Sequence, residues 1–458
     1  MVTNENRRIL LINPSIRSFF NKNFNILPPL VFGIISALTP KYWKITMWDE
    51  NIDNDSEFGF DYDIVAITTN TVNILRSYEL ADIYRAKNIK VIFGGWHSAS
   101  MLDEALSHAD SVIIGSVESE WLKFLNDFEN NEIKKVYKEI SQKYEFIKAD
   151  NSIFKSKYFS TAVETSRGCK NHCKFCGIHI NGHQAYKRKP ISLVITEITE
   201  ADSDFIFFLD NNFFGGDYDY LEQLFNEMIS LKLKKKWITA VSVNFFNSQK
   251  LIKLAAKSGA CLLFVGFETD SFKTLKYLGK ENVKSIGSKN NNIFEDYRKI
   301  VKSCHKNGIL ISGNIIIGFE NDTEEIILNR MFFFKNLKLD SCKSVILTPL
   351  PGTAFFNEII NQKKLSELIF PNDWNKFLYI KNVIKHKNLS SEFLEKNVIY
   401  CNQTYFKQSL MKTVRSFFIL KSIKSSAFFY YYLKNFANYE SNLLNKLFYF
   451  FLGNNFFK

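Results

Sequence analysis

No stretch of this 458-residue chain stays apolar for the roughly 18 residues that a membrane-spanning helix requires. The start, Met1 to Arg8, runs directly into an apolar strand pattern and lacks the order of a secretory leader. Only seven cysteines occur; three are clustered, and Cys261, Cys304, Cys342 and Cys401 are scattered, which does not fit a disulfide framework. These absences predict a protein of the reducing cytoplasm, with the scattered four acting as small apolar residues. Disorder is not expected either, because hydrophobic residues make up 46% of a chain long enough for two or three cores. Acidic residues are outnumbered, 47 against 59 Lys and Arg, for a net charge of +12. Such an excess attracts polyanions or anionic lipid. Lys, Asn, Ile and Phe are abundant throughout, however, and no recognition motif accompanies the charge, so no nucleic-acid partner is expected.

What the chain does have is Cys169, Cys173 and Cys176, in the run Cys-Lys-Asn-His-Cys-Lys-Phe-Cys. Thr-Ala-Val-Glu-Thr-Ser-Arg-Gly, residues 161–168, precedes it and reads as a strand entering a turn, with Gly168 allowing the tight fold. Three thiolates can hold three irons of a 4Fe-4S cube, and the missing fourth cysteine leaves one iron open to a ligand. A structural zinc would need a fourth ligand, for which His172 and His179 are candidates. A disulfide would need an oxidising compartment. The spacing favours the cluster.

Strands and helices alternate on both sides of this run. Upstream, residues 8–13, 44–48, 63–68, 90–93 and 111–114 read as five strands, and 63–68 has the continuous apolar run of a parallel sheet covered on both faces. Helical spacing over 29–38 and 73–87 fills two intervals, with Pro29 at a start where its missing N–H costs nothing. The pattern predicts a doubly wound, Rossmann-like α/β domain with ligands at the carboxyl ends of its strands. Those ends carry Asn13-Pro14-Ser15, Thr68 to Thr71, Gly94-Gly95-Trp96-His97 and Gly115-Ser116-Val117-Glu118. Their glycines either let backbone approach a large flat ligand or make tight strand-to-helix turns. Downstream, strands are expected at 161–165, 205–209, 237–242, 262–267, 310–317 and 344–348, with helices between them. Six units cannot close as eight do, which predicts an open, partial (β/α)6 barrel with its functional groups at the strand ends. Asp210 and Asn211 follow the second of these strands, Glu268 follows the fourth, and Gly313 and Gly318 bound the end of the fifth. The two carboxylates serve either a ligand or, more plainly, a helix N-terminus or the surface.

Glu-Thr-Ser-Arg-Gly-Cys169, with Phe175 before Cys176, resembles the signature of the radical S-adenosylmethionine (SAM) enzymes. The resemblance implies that SAM binds the open iron, that the reduced cluster splits it to a 5′-deoxyadenosyl radical, and that Phe175 lies near the adenine. It also implies that Asp210 and Asn211 stand where other members contact the SAM amine. Glu268 would accept hydrogen bonds from SAM or substrate, and the strand from Gly313 to Gly318 would frame the adenine. Upstream, Pro28-Pro29-Leu30, Trp48-Asp49-Glu50, Gly94 to His97 and Ile114 to Glu118 resemble the cobalamin-binding domain fused to class B members. This implies cobalamin (B12) beside Thr68, Thr71, Gly94, Gly95 and Gly115. An Asp-x-His-x-x-Gly motif is absent and Ser116-Val117 replaces the Glu-Ala of many relatives, so no histidine lower ligand to cobalt is expected.

The order of motifs as far as Leu347-Thr-Pro-Leu-Pro-Gly-Thr353 resembles the branch containing hopanoid C-methylases and anaerobic Mg-protoporphyrin ester cyclases. It implies methylation of an unactivated carbon on a small-molecule or lipid substrate, with an electron donor such as flavodoxin or ferredoxin. Oxidative cyclisation is the rival chemistry, and a non-catalytic metal-stabilised binding protein is the alternative of another class. The expected organisation is a cobalamin-binding-like domain over 1–142, a linker over 143–158, a barrel over 159–365 and a helical, aromatic-rich segment over 366–458. From Tyr405 onward a single acidic residue, Glu440, faces eight basic ones, and aromatic runs alternate with lysines. That is the pattern of a lid over the barrel mouth or of an interfacial helix making peripheral membrane contact.

Overall fold

The computed structural model describes residues 7–15, 27–53, 59–139, 145–154, 158–180, 186–280 and 292–407, with side chains described as far as 402. The first half runs β1 (Arg7–Asn13), α1 (Leu30–Leu38), β2 (Trp43–Asp49), β3 (Ile64–Thr68), α2 (Ile74–Arg85), β4 (Lys90–Gly94), α3 (Trp96–Ser100), α4 (Leu102–His108), β5 (Ser111–Ile114), α5 (Val117–Glu129) and β6 (Val136–Lys138). Its strands form one sheet in the order β2-β1-β3-β4-β5-β6, and every pairing is parallel. The order reverses between β1 and β3, which puts helices on both faces, as the doubly wound pattern requires. Residues 9–12 and 64–67 are almost wholly buried for that reason. Sequence periodicity did not anticipate β6, whose three residues bury one side chain and are too short to show a period.

The second half runs β7 (Thr161–Val163), the antiparallel pair β8 (Ser166–Arg167) and β9 (Lys187–Arg188), α6 (Ile191–Glu200), β10 (Phe205–Phe208), α7 (Tyr218–Ser230), β11 (Lys236–Val241), α8 (Gln249–Lys257), β12 (Ala260–Glu268), α9 (Phe272–Tyr277), α10 (Ile293–Lys306), β13 (Leu310–Ile317), α11 (Glu324–Asn336), β14 (Ser341–Ile346), α12 (Ala354–Asn361) and α13 (Ser391–Lys407). Strands β7 and β10 to β14 pair in parallel and in sequence order, with β7 and β14 left as edges, so the six units form an open sheet. Alternation divides the side chains. Val265, Phe267, Ile311 and Ile315 join the core beneath the helices. Phe205, Ile238, Leu262 and Leu310 form a separate plug on the lumen side. Seven of the helices begin with a side chain that accepts a first-turn amide: Asp217, Ser248, Ser271, Asn292, Thr323, Thr353 and Ser390. In the first half, α1, α2 and α5 have no such side-chain cap.

Residues 366–390 depart from the helical expectation. They contain only a short 3-10 turn, Asn372–Lys376, before α13 begins. Phe370, Trp374 and Phe377 have helical spacing, but they anchor an irregular segment in an apolar cluster shared with β3, β4 and α12. Trp374 is fully buried there, and its Nε1 donates to Glu104 at 2.9 Å. Packing between the halves overrode the local pattern. The aromatic stretch beyond residue 407 lies outside the described residues.

One buried ion cluster fixes the far end of β13. Arg330 on α11 reaches Asp322 with both terminal nitrogens, at 2.7 and 2.8 Å, and Asp270 with Nε at 2.8 Å. Asp322 also accepts from the Gly318 and Phe319 amides, both at 3.0 Å. Arg330→Leu would strand Asp322 without its charge partner, so we expect a loss of about 3–5 kcal/mol in denaturant-measured stability. An unchanged unfolding midpoint would refute this role.

Candidate active site

The cysteine run starts where β7 ends, and residues following β10 hold its entrance. Asp210 is buried and accepts from the Thr165 amide (3.1 Å), the Thr165 hydroxyl (2.7 Å) and the Ser166 hydroxyl. Burial pushes its carboxyl up to about 6, against the pull of these hydrogen bonds. Asn211 Oδ1 accepts from the Gly168 amide at 3.1 Å. Asp210 is therefore neither a helix cap nor a surface group; it and Asn211 position the loop. Cys169 is buried, and its sulfur receives the Asn171 amide at 3.4 Å and Asn212 Nδ2 at 3.8 Å. Asn212 Oδ1 is buried with no partner, an acceptor left for a ligand. Asp210→Ala should lower the iron retained after anaerobic reconstitution and cost about 1–3 kcal/mol of stability, since three donors lose their acceptor. Wild-type iron content in that variant would refute the positioning role.

The far side of the loop rests on the segment after α9. The Lys174 amide donates to the Leu278 carbonyl at 3.2 Å, and the Phe355 amide to the Lys174 carbonyl at 2.9 Å. Glu268 lies at an irregularity of β12 and has a left-handed φ of +63°. Its carboxylate forms an ion pair with Lys280. Lys280 draws the Cys173 and Cys176 thiols toward ionisation, but burial outweighs it and raises Cys173 to about 12 and Cys176 above its usual value. Metal binding there must therefore release protons. Lys280 and Asn212 were not anticipated; Lys280 carries no pattern of its own and enters the site only through the fold. Phe175 packs in the cluster shared by the two halves, with Lys280 Nζ 6.0 Å from its ring centre.

The donor set fits an iron-sulfur cube better than zinc. His172 and His179 stack on each other at 4.6 Å, and His179 Nε2 lies 2.9 Å from the Asn171 carbonyl. Among the described residues no group of three His, Cys, Asp or Glu side chains is placed to hold a single metal ion. A cube asks for something else, since each thiolate binds a different iron. The N–H groups directed at Cys169 suit a thiolate ligand.

A cavity of about 350 Å³ opens beside the loop, at the carboxyl ends of β3, β4 and β5. Thr68, Gly94, Gly95 and Gly115 lie together in its wall with Trp96, and Glu164, Arg167 and Leu209 of the second half close it. Thr71 does not join them. Its hydroxyl is 3.1 Å from Nδ1 of His97, a buried residue that lies outside the wall and faces Glu104 at 3.5 Å. The glycines also separate. Gly95 has φ +139°, and a β-carbon on it would lie 2.1 Å from the Thr69 carbonyl, whereas one on Gly94 would meet nothing within 4 Å. Gly94 is thus the glycine that leaves room in the cavity, and Gly95 serves the turn.

Gly313 and Gly318 fall away from the site. A β-carbon on Gly313 would lie 2.7 Å from Leu339 and 3.1 Å from Phe267, within the helix-side core. One on Gly318 would face Leu394 of α13 at 3.5 Å. Gly313 serves close packing, and Gly318, with φ +86°, serves the turn after β13.

Two contacts join cavity and cysteine loop. Arg167 pairs with Glu164 and, at 3.0 Å, with Glu118, and its Nη1 lies 3.3 Å from the Ser116 hydroxyl. Burial opposes the Glu118 carboxylate, yet Arg167 holds its pKa below the usual value. Gly177, next to Cys176, approaches the Trp96 ring so closely that a β-carbon would lie 3.1 Å from it.

Comparisons with known proteins agree with this arrangement. The model of the Radical SAM superfamily matches residues 163–333. Bacteriochlorophyllide d C-12(1)-methyltransferase from Chlorobaculum tepidum is 28% identical over 429 residues, covering 89% of this chain and 90% of that protein. The radical SAM methyltransferase TsrM from Kitasatospora setae, solved with tryptophan and a SAM analogue, superposes with TM-score 0.62 at 16% identity, covering 78% of this chain and 76% of that one. The apo form of the cobalamin-dependent enzyme OxsB superposes with TM-score 0.63 at 13% identity, covering 94% of this chain and 75% of that one. With its three-cysteine loop set at the mouth of an open six-stranded sheet, the chain carries a Radical SAM superfamily match over residues 163–333 and shares the two-sheet fold of TsrM and OxsB.

Proposed function

We propose that this protein is a cobalamin-dependent radical SAM enzyme that transfers a methyl group to an unactivated carbon of a small molecule. The observation that carries the reading is the shared wall: the cysteine loop and the apolar cavity meet at Trp96–Gly177 and at Arg167–Glu118. When bound, the cluster and SAM supply hydrogen abstraction, and cobalamin supplies the methyl group. The chain's part is to hold and orient. Cys169, Cys173 and Cys176 would ligate the cluster; Glu268 and Lys280 offer an acceptor and a cation beside it for the amino and carboxylate groups of SAM.

A corrin would lie over Gly94, against Thr68 and Gly115, with Arg167 between it and the cluster. His97 does not line this cavity and faces Glu104 instead. The names of the relatives support methyl transfer, and the substrate each acts on is its own. A cytoplasmic location and an electron donor of the flavodoxin or ferredoxin type complete the proposal. Among the described residues no helix is long and apolar enough to cross a membrane.

The test is anaerobic reconstitution with iron, sulfide, hydroxocobalamin and SAM, followed by mass analysis of products from extracts of the source cells. A product one carbon heavier than its precursor, carrying the label of methyl-labelled SAM, supports the proposal. SAM cleavage with retained cobalamin but an unlabelled, oxidised product would replace methyl transfer with oxidation or cyclisation.

A further inference from the structure

Below the cysteine loop the lumen of the open sheet contains two polar side chains with no partner among the described residues. Register pairs Gly266 of β12 with Asn314 of β13, and Asn314 with Lys343 of β14. On these strands Gly313, Ile315, Cys342 and Ile346 belong to the helix-side cores, so alternation turns Asn314 and Lys343 into the lumen. The row lies one side-chain layer beneath Glu268. It meets the cluster site at Gly266, whose carbonyl is 3.4 Å from Lys280 Nζ.

Lys343 stands exposed on β14, yet its surroundings are crowded enough that desolvation lowers its ammonium pKa, and no carboxylate offsets this. Alternation along β14 sets it on the lumen face, level with Asn314 of β13. Tyr379 is part-exposed too, at 37%. Its carbonyl accepts from the Ile346 amide at 2.7 Å, which seats it at the end of β14. Elsewhere in the fold, desolvated cations have carboxylates: Lys189 has Glu197, Arg330 has Asp322 and Lys280 has Glu268. Lys343 has none among the described residues.

We infer that Lys343, with Asn314 beside it, is an anion-binding subsite that takes a carboxylate or phosphate group of the substrate. The inference rests on the proposed radical SAM reading only for the word substrate; the anion site stands on the barrel alone. A charged hydrogen bond from the ammonium, with the Asn314 amide as second donor, would fix one end of the substrate and leave its reacting carbon toward the cysteine loop.

The test uses the full chain, anaerobically reconstituted with cluster and SAM, titrated with phosphate or acetate against chloride at constant ionic strength. The readout is the midpoint of thermal unfolding. A saturable rise is expected in the wild type and in the surface control Lys253→Met. In Lys343→Met the half-saturating concentration should increase about tenfold or more, and Lys343→Arg should restore it. A response to phosphate alone marks a phosphate-bearing substrate, one to acetate alone marks a carboxylate, and one to both leaves the anion site general. No saturable response in the wild type, or the same half-saturation in Lys343→Met, overturns the subsite. Equal weakening of SAM binding in Lys343→Met overturns it too, because the cation would then serve the cofactor. Failure of the methyl-transfer reading appears separately, as loss of SAM cleavage or cobalamin retention in the wild type.

Discussion

Cys169→Ala, Cys173→Ala and Cys176→Ala should each abolish reductive SAM cleavage, whereas Ala at Cys261, Cys304, Cys342 or Cys401 should leave it intact. The contrast is chemical as well as positional. The first three lie on one loop, with N–H groups directed at Cys169 and the Lys280 charge acting on the other two. The other four are buried in apolar cores, and burial raises Cys261 to about 12, Cys401 to about 11 and Cys304 well above its usual value, so those three stay protonated. Reconstituted wild type should hold about four irons at the loop, and each loop variant markedly fewer, because two thiolates hold a cube poorly. The check is iron and sulfide content alongside 5′-deoxyadenosine release after reduction. Full cleavage in any loop variant would remove the assignment. Ala at one of the four core cysteines should shift only the unfolding midpoint.

The same sulfur chemistry made this part of the site legible in sequence. Three thiols at short spacing have few structural uses, and the strand and turn around them are local. The parallel sheets were legible too, because residues 9–12 and 64–67 are apolar on both faces and little else produces such runs. Local pattern failed where the deciding contact lies far away in sequence. Thr71 sits at a strand end beside Thr68, yet its hydroxyl serves His97, and the turn decides which way it points. Gly313 looks like a ligand-facing glycine but yields space to Leu339, which no nearby residue announces. Lys280 gains its meaning from Glu268 and the cysteines, across a helix. Residues 366–390, expected within a helical segment, are irregular because Phe370, Trp374 and Phe377 anchor them in an interface between the halves.

Gly94→Val should remove cobalamin binding while sparing the cluster and uncoupled SAM cleavage; Gly95→Val should damage the fold instead. Sequence alone makes these glycines interchangeable, and bulk at either would be expected to exclude a corrin. Geometry separates them. The β-carbon direction of Gly94 is open, with nothing within 4 Å, and the residue lines the cavity, so added bulk there enters ligand space. At Gly95 the β-carbon would lie 2.1 Å from the Thr69 carbonyl, a distance that no rotamer relieves, and the φ of +139° is one that valine avoids. The Thr69 amide bonds the Gly94 carbonyl at 2.8 Å, so that clash would part the ends of β3 and β4. We expect Gly95→Val to be poorly soluble or to lose several kcal/mol, in line with strained-backbone substitutions. Gly94→Val should keep its wild-type unfolding midpoint, iron content and 5′-deoxyadenosine release, and lose the absorbance of bound cob(III)alamin after gel filtration. Gly94→Ala, adding one carbon to open space, should retain part of the cobalamin. If Gly94→Val binds cobalamin as the wild type does, the corrin does not lie in this cavity. If the wild type itself retains none while its cluster is intact, methyl transfer loses its carrier, and the oxidation or cyclisation chemistry takes its place.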